Sequence, residues 1–309
     1  NDAINAAQKI SGSWRESGIH QRAEMLDRIG SEILSRKEEL GTLLSREEGK
    51  VLAEGIGEVE RAGHIFKFFA GEAVRIAGVS MDSVRPGVDV EVVREPIGVV
   101  GIITPWNFPI AIPAWKIAPA LAFGNTVVFK PATLVPASAQ SLTQIIAESG
   151  LPAGVFNLVM GSGQEVGETM VNSPLVNAIS FTGSVATGRE ILVKTAERQA
   201  RVQLEMGGKN PLIVLDDADL ETAVECAING AFYSTGQRCT ASSRLIVGAD
   251  IHDRFVERLI ERMESLIVDH ALKPGTQMGP VVDDRQFEED LSYIEVGCSE
   301  GAEMATGGA

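Results

Sequence analysis

Cysteine is scarce and unpatterned in this 309-residue chain: Cys226, Cys239 and Cys298 are odd in number and far apart. That arrangement excludes a disulfide framework, and there is no CxxC pair to suggest a structural zinc. A reducing cytoplasm is the expected compartment. Positive charge is also short. The formal net charge is −15, which repels a nucleic-acid backbone or an anionic membrane surface, so neither is an expected partner. Long uncharged runs are few. The one that needs weighing, Ile97 to Trp115, holds Pro105, Pro109 and Pro113, which would break a spanning helix. The first residues, NDAINAAQKI, lack a signal-peptide core. Low-complexity segments are missing too. What remains is a 44% hydrophobic chain, long enough for two domains.

Residues 1–80 place apolar side chains at spacings of three and four, with Arg, Glu and Lys between them, and predict helices with a solvated face. The period then changes. Val88, Val90 and Val92 alternate with Asp89, Glu91 and Val93, which predicts a half-exposed strand or hairpin over about 82–97. From Gly98 onward, β-rich runs alternate with helical ones: GVVGIIT with AWKIAPALAFG, TVVFK with SAQSLTQIIAESG, FNLVM with GQEVGETMVNS, and AISFT with SVATGREILVKTAE. Four such units predict a parallel sheet covered by helices on both faces, a Rossmann-like dinucleotide domain spanning 1–208. NPLIVL, LETAVECAINGAF, RLIVGA and DRFVERLIERMESLIV begin a second, incomplete α/β domain over 209–309.

Several residues carry chemistry. Cys239 lies between a long helical pattern and the strand-like RLIVGA, a junction that can present a thiol to a cleft; a small buried thiol is the alternative. Glu205 sits in the otherwise apolar run VQLEM, where desolvation would raise a carboxyl group toward the range of a general base; an exposed strand-end glutamate is the competing reading. Asn107 is bracketed by prolines and either donates to an oxyanion or caps a turn. Gly183 and Ser184 open a helix directly after AISFT, a place suited to a pyrophosphate.

PWNFP (Pro105–Pro109), FTGSVATG (Phe181–Gly188), LEMGGKNP (Leu204–Pro211) and GQRC ending at Cys239 together resemble the aldehyde dehydrogenase superfamily, in its order and at similar spacing. The resemblance runs the length of the chain. It implies an NAD(P)-dependent oxidation of a small-molecule aldehyde, with Cys239 as nucleophile, Glu205 as the base that activates water, and Asn107 with the Cys239 N–H as oxyanion donors. For NAD or NADP it implies Ile103 and Trp106 as lining, Lys130 near the adenosine ribose, and Gly183 with Ser184 at the phosphates. It also implies that the hairpin is an arm used for assembly into a homodimer or homotetramer.

Within the superfamily, GQRCTASSR most resembles the 2,5-dioxopentanoate (α-ketoglutaric semialdehyde) dehydrogenases. Two substrate-carboxylate arginines of succinate-semialdehyde dehydrogenases are replaced by Trp115 and Tyr233, and Arg238 is a candidate carboxylate partner instead. Thr133 stands where strongly NAD-selective relatives often have glutamate, so NADP is expected to be accepted as well as NAD. The ribose-binding Glu-x-Phe-Gly-Pro segment of the family is not found, and the chain is expected to be part of a longer protein. The alternative function for these 309 residues by themselves is an inactive cofactor-binding or structural remnant.

Overall fold

The structure, a computed structural model, describes residues 1–308; Ala309, the end of the expected second domain, lies outside the described residues. Four helices come first: α1 (Asp2–Arg15), α2 (Ile19–Ser35), α3 (Lys37–Glu48) and α4 (Leu52–Ala73). The large apolar residues buried on α2, Met25, Leu26, Ile29 and Ile33, form the stripe that its periodicity predicts. An antiparallel hairpin follows, β1 (Val79–Asp82) on β2 (Asp89–Val92), with Val79 opposite Val92. It begins at Val79, earlier than expected, and its apolar side chains Val79, Met81 and Val92 are exposed.

The alternating region folds as β3 (Val99–Ile103), α5 (Ala111–Ala122), β4 (Thr126–Lys130), α6 (Pro136–Glu148) and β5 (Phe156–Leu158). A π-helical turn (Gly163–Gly167) runs into α7 (Glu168–Asn172), followed by β6 (Ala178–Gly183), α8 (Val185–Glu197) and β7 (Arg201–Met206). Strands β3 to β7 form one parallel sheet in the order β5-β4-β3-β6-β7. All five residues of β4 are buried, and so are the first four of β3. Helices cover both faces there, which is why these strands read as unbroken apolar runs. Val99, Val128, Ile179 and Phe181 pack with Ile4 of α1, Val171 of α7 and Ile191 of α8. Each such side chain contributes about 1.5–3 kcal/mol by leaving water.

The order of this sheet has a consequence for function. From β3 the chain steps outward to β4 and β5, then returns to place β6 on the other side of β3. A crevice opens at such a reversal, beyond the carboxyl ends of the strands.

After β7 come β8 (Asn210–Val214), α9 (Leu220–Ala231), a 3-10 turn (Tyr233–Gly236), β9 (Ser242–Val247), α10 (His252–Glu264) and α11 (Asp284–Ser299). Strands β8 and β9 pair in parallel, and α9 and α10 bury Val214, Val224, Ile228, Phe255 and Leu259 against them. The chain divides into two compact units, Asn1–Leu40 with Ile56–Met206, and Gly41–Gly55 with Gly207–Ala309. The stretch assigned to the dinucleotide domain thus lends residues 41–55 to the second unit. Among the described residues no helix is long and apolar enough to cross a membrane; Ile97–Trp115 contains β3, a turn and the start of α5.

Candidate active site

Every predicted site residue except Cys239 and its neighbour Arg238 lies at or just beyond the carboxyl end of β3, β4, β6 or β7. Ile103 ends β3, opposite Lys130 of β4 on one side and Phe181 of β6 on the other. These three line a cleft of about 280 Å³ at the reversal of strand order, closed from the helix side by Val171, Thr187 and Ile191. Glu168 of α7 and Lys194 of α8 pair at 2.9 Å along the same cleft. Lys130 is buried, which lowers its pKa, and its Nζ donates to the Pro131 carbonyl at 2.9 Å. Thr133 is exposed in the turn before α6.

Gly183 and Ser184 form the junction from β6 to α8. A Cβ on Gly183 would lie 2.5 Å from Phe181 Cζ, so the close passage of backbone over ring needs glycine. Ser184 is the N-cap of α8, its Oγ accepting from the Thr187 amide at 3.3 Å. A cleft that sets Ile103, Val171, Phe181 and Ile191 among charged side chains, near a helix N-terminus reached over a glycine, fits a dinucleotide.

Trp106 and Asn107 are half-buried in the turn between β3 and α5. The exit from that turn is fixed from a distance. Glu58 of α4, 4% exposed, accepts from the amides of Ile110 at 2.9 Å and Ala111 at 3.1 Å, capping α5 in place of a local side chain.

Glu205 is exposed, not desolvated, because β7 is the edge strand of its sheet and alternates between exposed and half-buried positions. Its Oε1 accepts from Gln203 Nε2 at 2.7 Å. Gln203 Oε1 in turn accepts from Ser180 Oγ at 2.6 Å and from Lys116 Nζ at 3.0 Å, and Lys116 also donates to Ser180 Oγ at 2.8 Å. Lys116 is 8% exposed, and burial pushes its pKa down to about 8, partly countered by the Glu205 carboxylate. Sequence reasoning missed Lys116. A lysine among the apolar residues of AWKIAPALA was the available signal.

Cys239 belongs to the second unit and is exposed; Cys226 and Cys298 are exposed and unbridged as well. The chain leaves α9 through Ser234, Thr235 and Gly236, three successive left-handed residues with φ of 54°, 55° and 66°. For Ser234 and the β-branched Thr235 that conformation costs about 1–2 kcal/mol each. Beyond it, the carbonyl of Cys239 accepts from Asn210 Nδ2 at 2.7 Å, and that of Ala241 from the same group at 3.2 Å. Arg238 does not face outward as a carboxylate partner. Its guanidinium donates to the Asn229 and Gly230 carbonyls, satisfying the carboxyl end of α9.

A parallel sheet with a cleft at the reversal of its strand order, and a helix entered over a glycine at the end of β6, define a doubly wound α/β protein of the nucleotide-binding kind. The chain belongs to the aldehyde dehydrogenase family, whose sequence model matches residues 1–309. The 2,5-dioxopentanoate dehydrogenase of Saccharolobus solfataricus is 45% identical over 312 residues, a match that covers 99% of this chain and 64% of that enzyme. The α-ketoglutaric semialdehyde dehydrogenase of Bacillus subtilis is also 45% identical, over 306 residues, with 99% and 63% covered. A crystal structure of betaine aldehyde dehydrogenase from Staphylococcus aureus in complex with NAD+ superposes with a TM-score of 0.97 at 38% identity, covering 99% of this chain and 61% of that one. The chain therefore spans less than two thirds of the length of these relatives.

Proposed function

We propose that the protein carrying this chain oxidises a short aldehyde with a distal carboxylate or keto-acid group to its carboxylic acid, 2,5-dioxopentanoate first. The carrying observation is the exposed thiol of Cys239 on its braced loop, within a chain of the aldehyde dehydrogenase family. The substrate preference rests on similarity to the two semialdehyde dehydrogenases.

In this reading the Cys239 thiol gives its proton to solvent, and the thiolate adds to the aldehyde carbon to give a thiohemiacetal whose oxyanion is received by the Asn107 amide and the Cys239 N–H. Loss of hydride from that carbon leaves a thioester on Cys239. A bound nicotinamide cofactor would supply the hydride acceptor; Ile103, Trp106 and Lys130 would hold it, with Gly183 and Ser184 at its phosphates. Glu205 then takes a proton from water, the resulting hydroxide adds to the thioester, and the acid departs with return of the thiol. Its exposure leaves it open to water, and the bond from Gln203 fixes its orientation. Lys130, with Thr133 in place of a carboxylate, favours acceptance of NADP beside NAD. The exposed apolar hairpin supports assembly into a homodimer or homotetramer, and three unbridged thiols support a cytoplasmic setting.

Cys239→Ser should abolish aldehyde-dependent formation of acid and reduced cofactor while cofactor binding persists. Turnover retained by that variant contradicts the assignment.

A further inference from the structure

The turn that delivers Cys239 is held by parts of the chain remote in sequence. Left-handed backbone at a serine and a threonine persists only where the surroundings hold it. Here two groups do so. The amide of Ser234 donates to Glu54 Oε1 at 2.9 Å, across 180 residues of sequence, and Ser234 itself is 6% exposed. The hydroxyl of Thr235 donates to the Gly279 carbonyl at 3.0 Å. A third tie, from the Val282 amide to Gln237 Oε1 at 3.0 Å, joins the next part of the loop to the same 279–282 segment.

The supports are themselves braced. Leu52, in the first turn of α4, donates its amide to the Ala271 carbonyl at 3.3 Å. Gly49, at φ 91°, packs so closely on the 279–280 segment that a Cβ would lie 2.7 Å from the Pro280 carbonyl oxygen. Glu54 and residues 279–282 therefore form one support under residues 234–237, all within the second unit. This also accounts for residues 41–55 belonging to that unit.

We propose that Glu54 and Thr235 are positioning residues for Cys239, locking the left-handed turn so that the loop presents the thiol and its backbone N–H in one fixed orientation. This rests on the reading of Cys239 as the nucleophile. An orientation role acts on the chemical step, since both the attacking sulfur and one oxyanion donor ride on this loop.

The test uses the protein carrying this chain, with Glu54→Ala, Glu54→Gln, Thr235→Val and Thr235→Ser. Glu54→Ala and Thr235→Val should lower kcat by about tenfold, with KM for the aldehyde and the Kd for NAD(P) little changed. Glu54→Gln and Thr235→Ser, which keep an acceptor and a hydroxyl, should recover most of that loss. Hydrogen exchange of the peptide containing Ser234 should quicken in Glu54→Ala and return toward the parent rate in Glu54→Gln, with β3 and β4 unaffected. Unchanged kcat in both Glu54→Ala and Thr235→Val overturns the proposal, as does a loss that the conservative variants fail to recover. Retained turnover in Cys239→Ser defeats instead the reading of Cys239, and the exchange results still report on the turn.

Discussion

The cleft at the reversal of strand order and the thiol loop are built in opposite ways. The cleft is assembled from regular elements, with Ile103, Lys130 and Phe181 in register on three neighbouring strands and a capped helix beginning just after β6. Its geometry follows from strand pairing and from burial of an apolar sheet on both faces. The loop around Cys239 has no regular pairing of its own. It holds two residues in backbone conformations they disfavour, and hydrogen bonds donated to Glu54 and Gly279 and accepted from Asn210 compensate. The cleft thus takes its shape from packing, whereas the thiol takes its orientation from strain under polar restraint.

Three substitutions sharpen that contrast. The largest effect is expected for Asn107→Ala, which removes the oxyanion donor of the proposed mechanism. Turnover should fall by about 10²–10³ with cofactor binding intact, as steady-state rates and a binding titration would show. A loss below tenfold would assign Asn107 to its turn alone.

Next comes Lys116. Its pKa is near 8 in the folded chain against 10.5 for an ordinary lysine. Between those values the unfolded chain binds more protons, so stability rises with pH across that window. Below about pH 8 both states carry the charge, and its burial costs about 3 kcal/mol in full. Lys116→Met should flatten the rise, read as urea-unfolding free energies on either side of the window. A parent that gains nothing over that range contradicts the account of Lys116.

The smallest effect is expected for Thr133→Glu. A carboxylate in this exposed turn should weaken NADP by about 1–3 kcal/mol and leave NAD nearly unchanged. Equal weakening of both dinucleotides would show that Thr133 does not discriminate between them.

The same contrast explains what was legible in the sequence. Alternation of β-rich and helical runs predicted the parallel sheet, because residues buried on both faces leave an unbroken apolar signature, as TVVFK does. Motif context marked Gly183 and Ser184, since a glycine and a capping serine after a strand answer to local backbone needs. Glu205 was legible as a position but not as an environment: its apolar neighbours suggested burial, and an edge strand gave exposure. Arg238 was adjacent to the thiol in sequence, yet its guanidinium belongs to the end of α9. Glu54, Glu58 and Lys116 were invisible as site residues because their roles depend on partners 180, 52 and 64 residues away.

The measurement that bears most directly on the account is the mass of the Cys239 peptide after rapid acid quench. Glu205→Gln should slow attack of water on the thioester more than its formation. With aldehyde and NAD(P) present, this variant is expected to accumulate the acyl group on Cys239 and on neither Cys226 nor Cys298, together with a single turnover of reduced cofactor. Steady acid production by Glu205→Gln with no acyl mass on Cys239 would contradict the central claim.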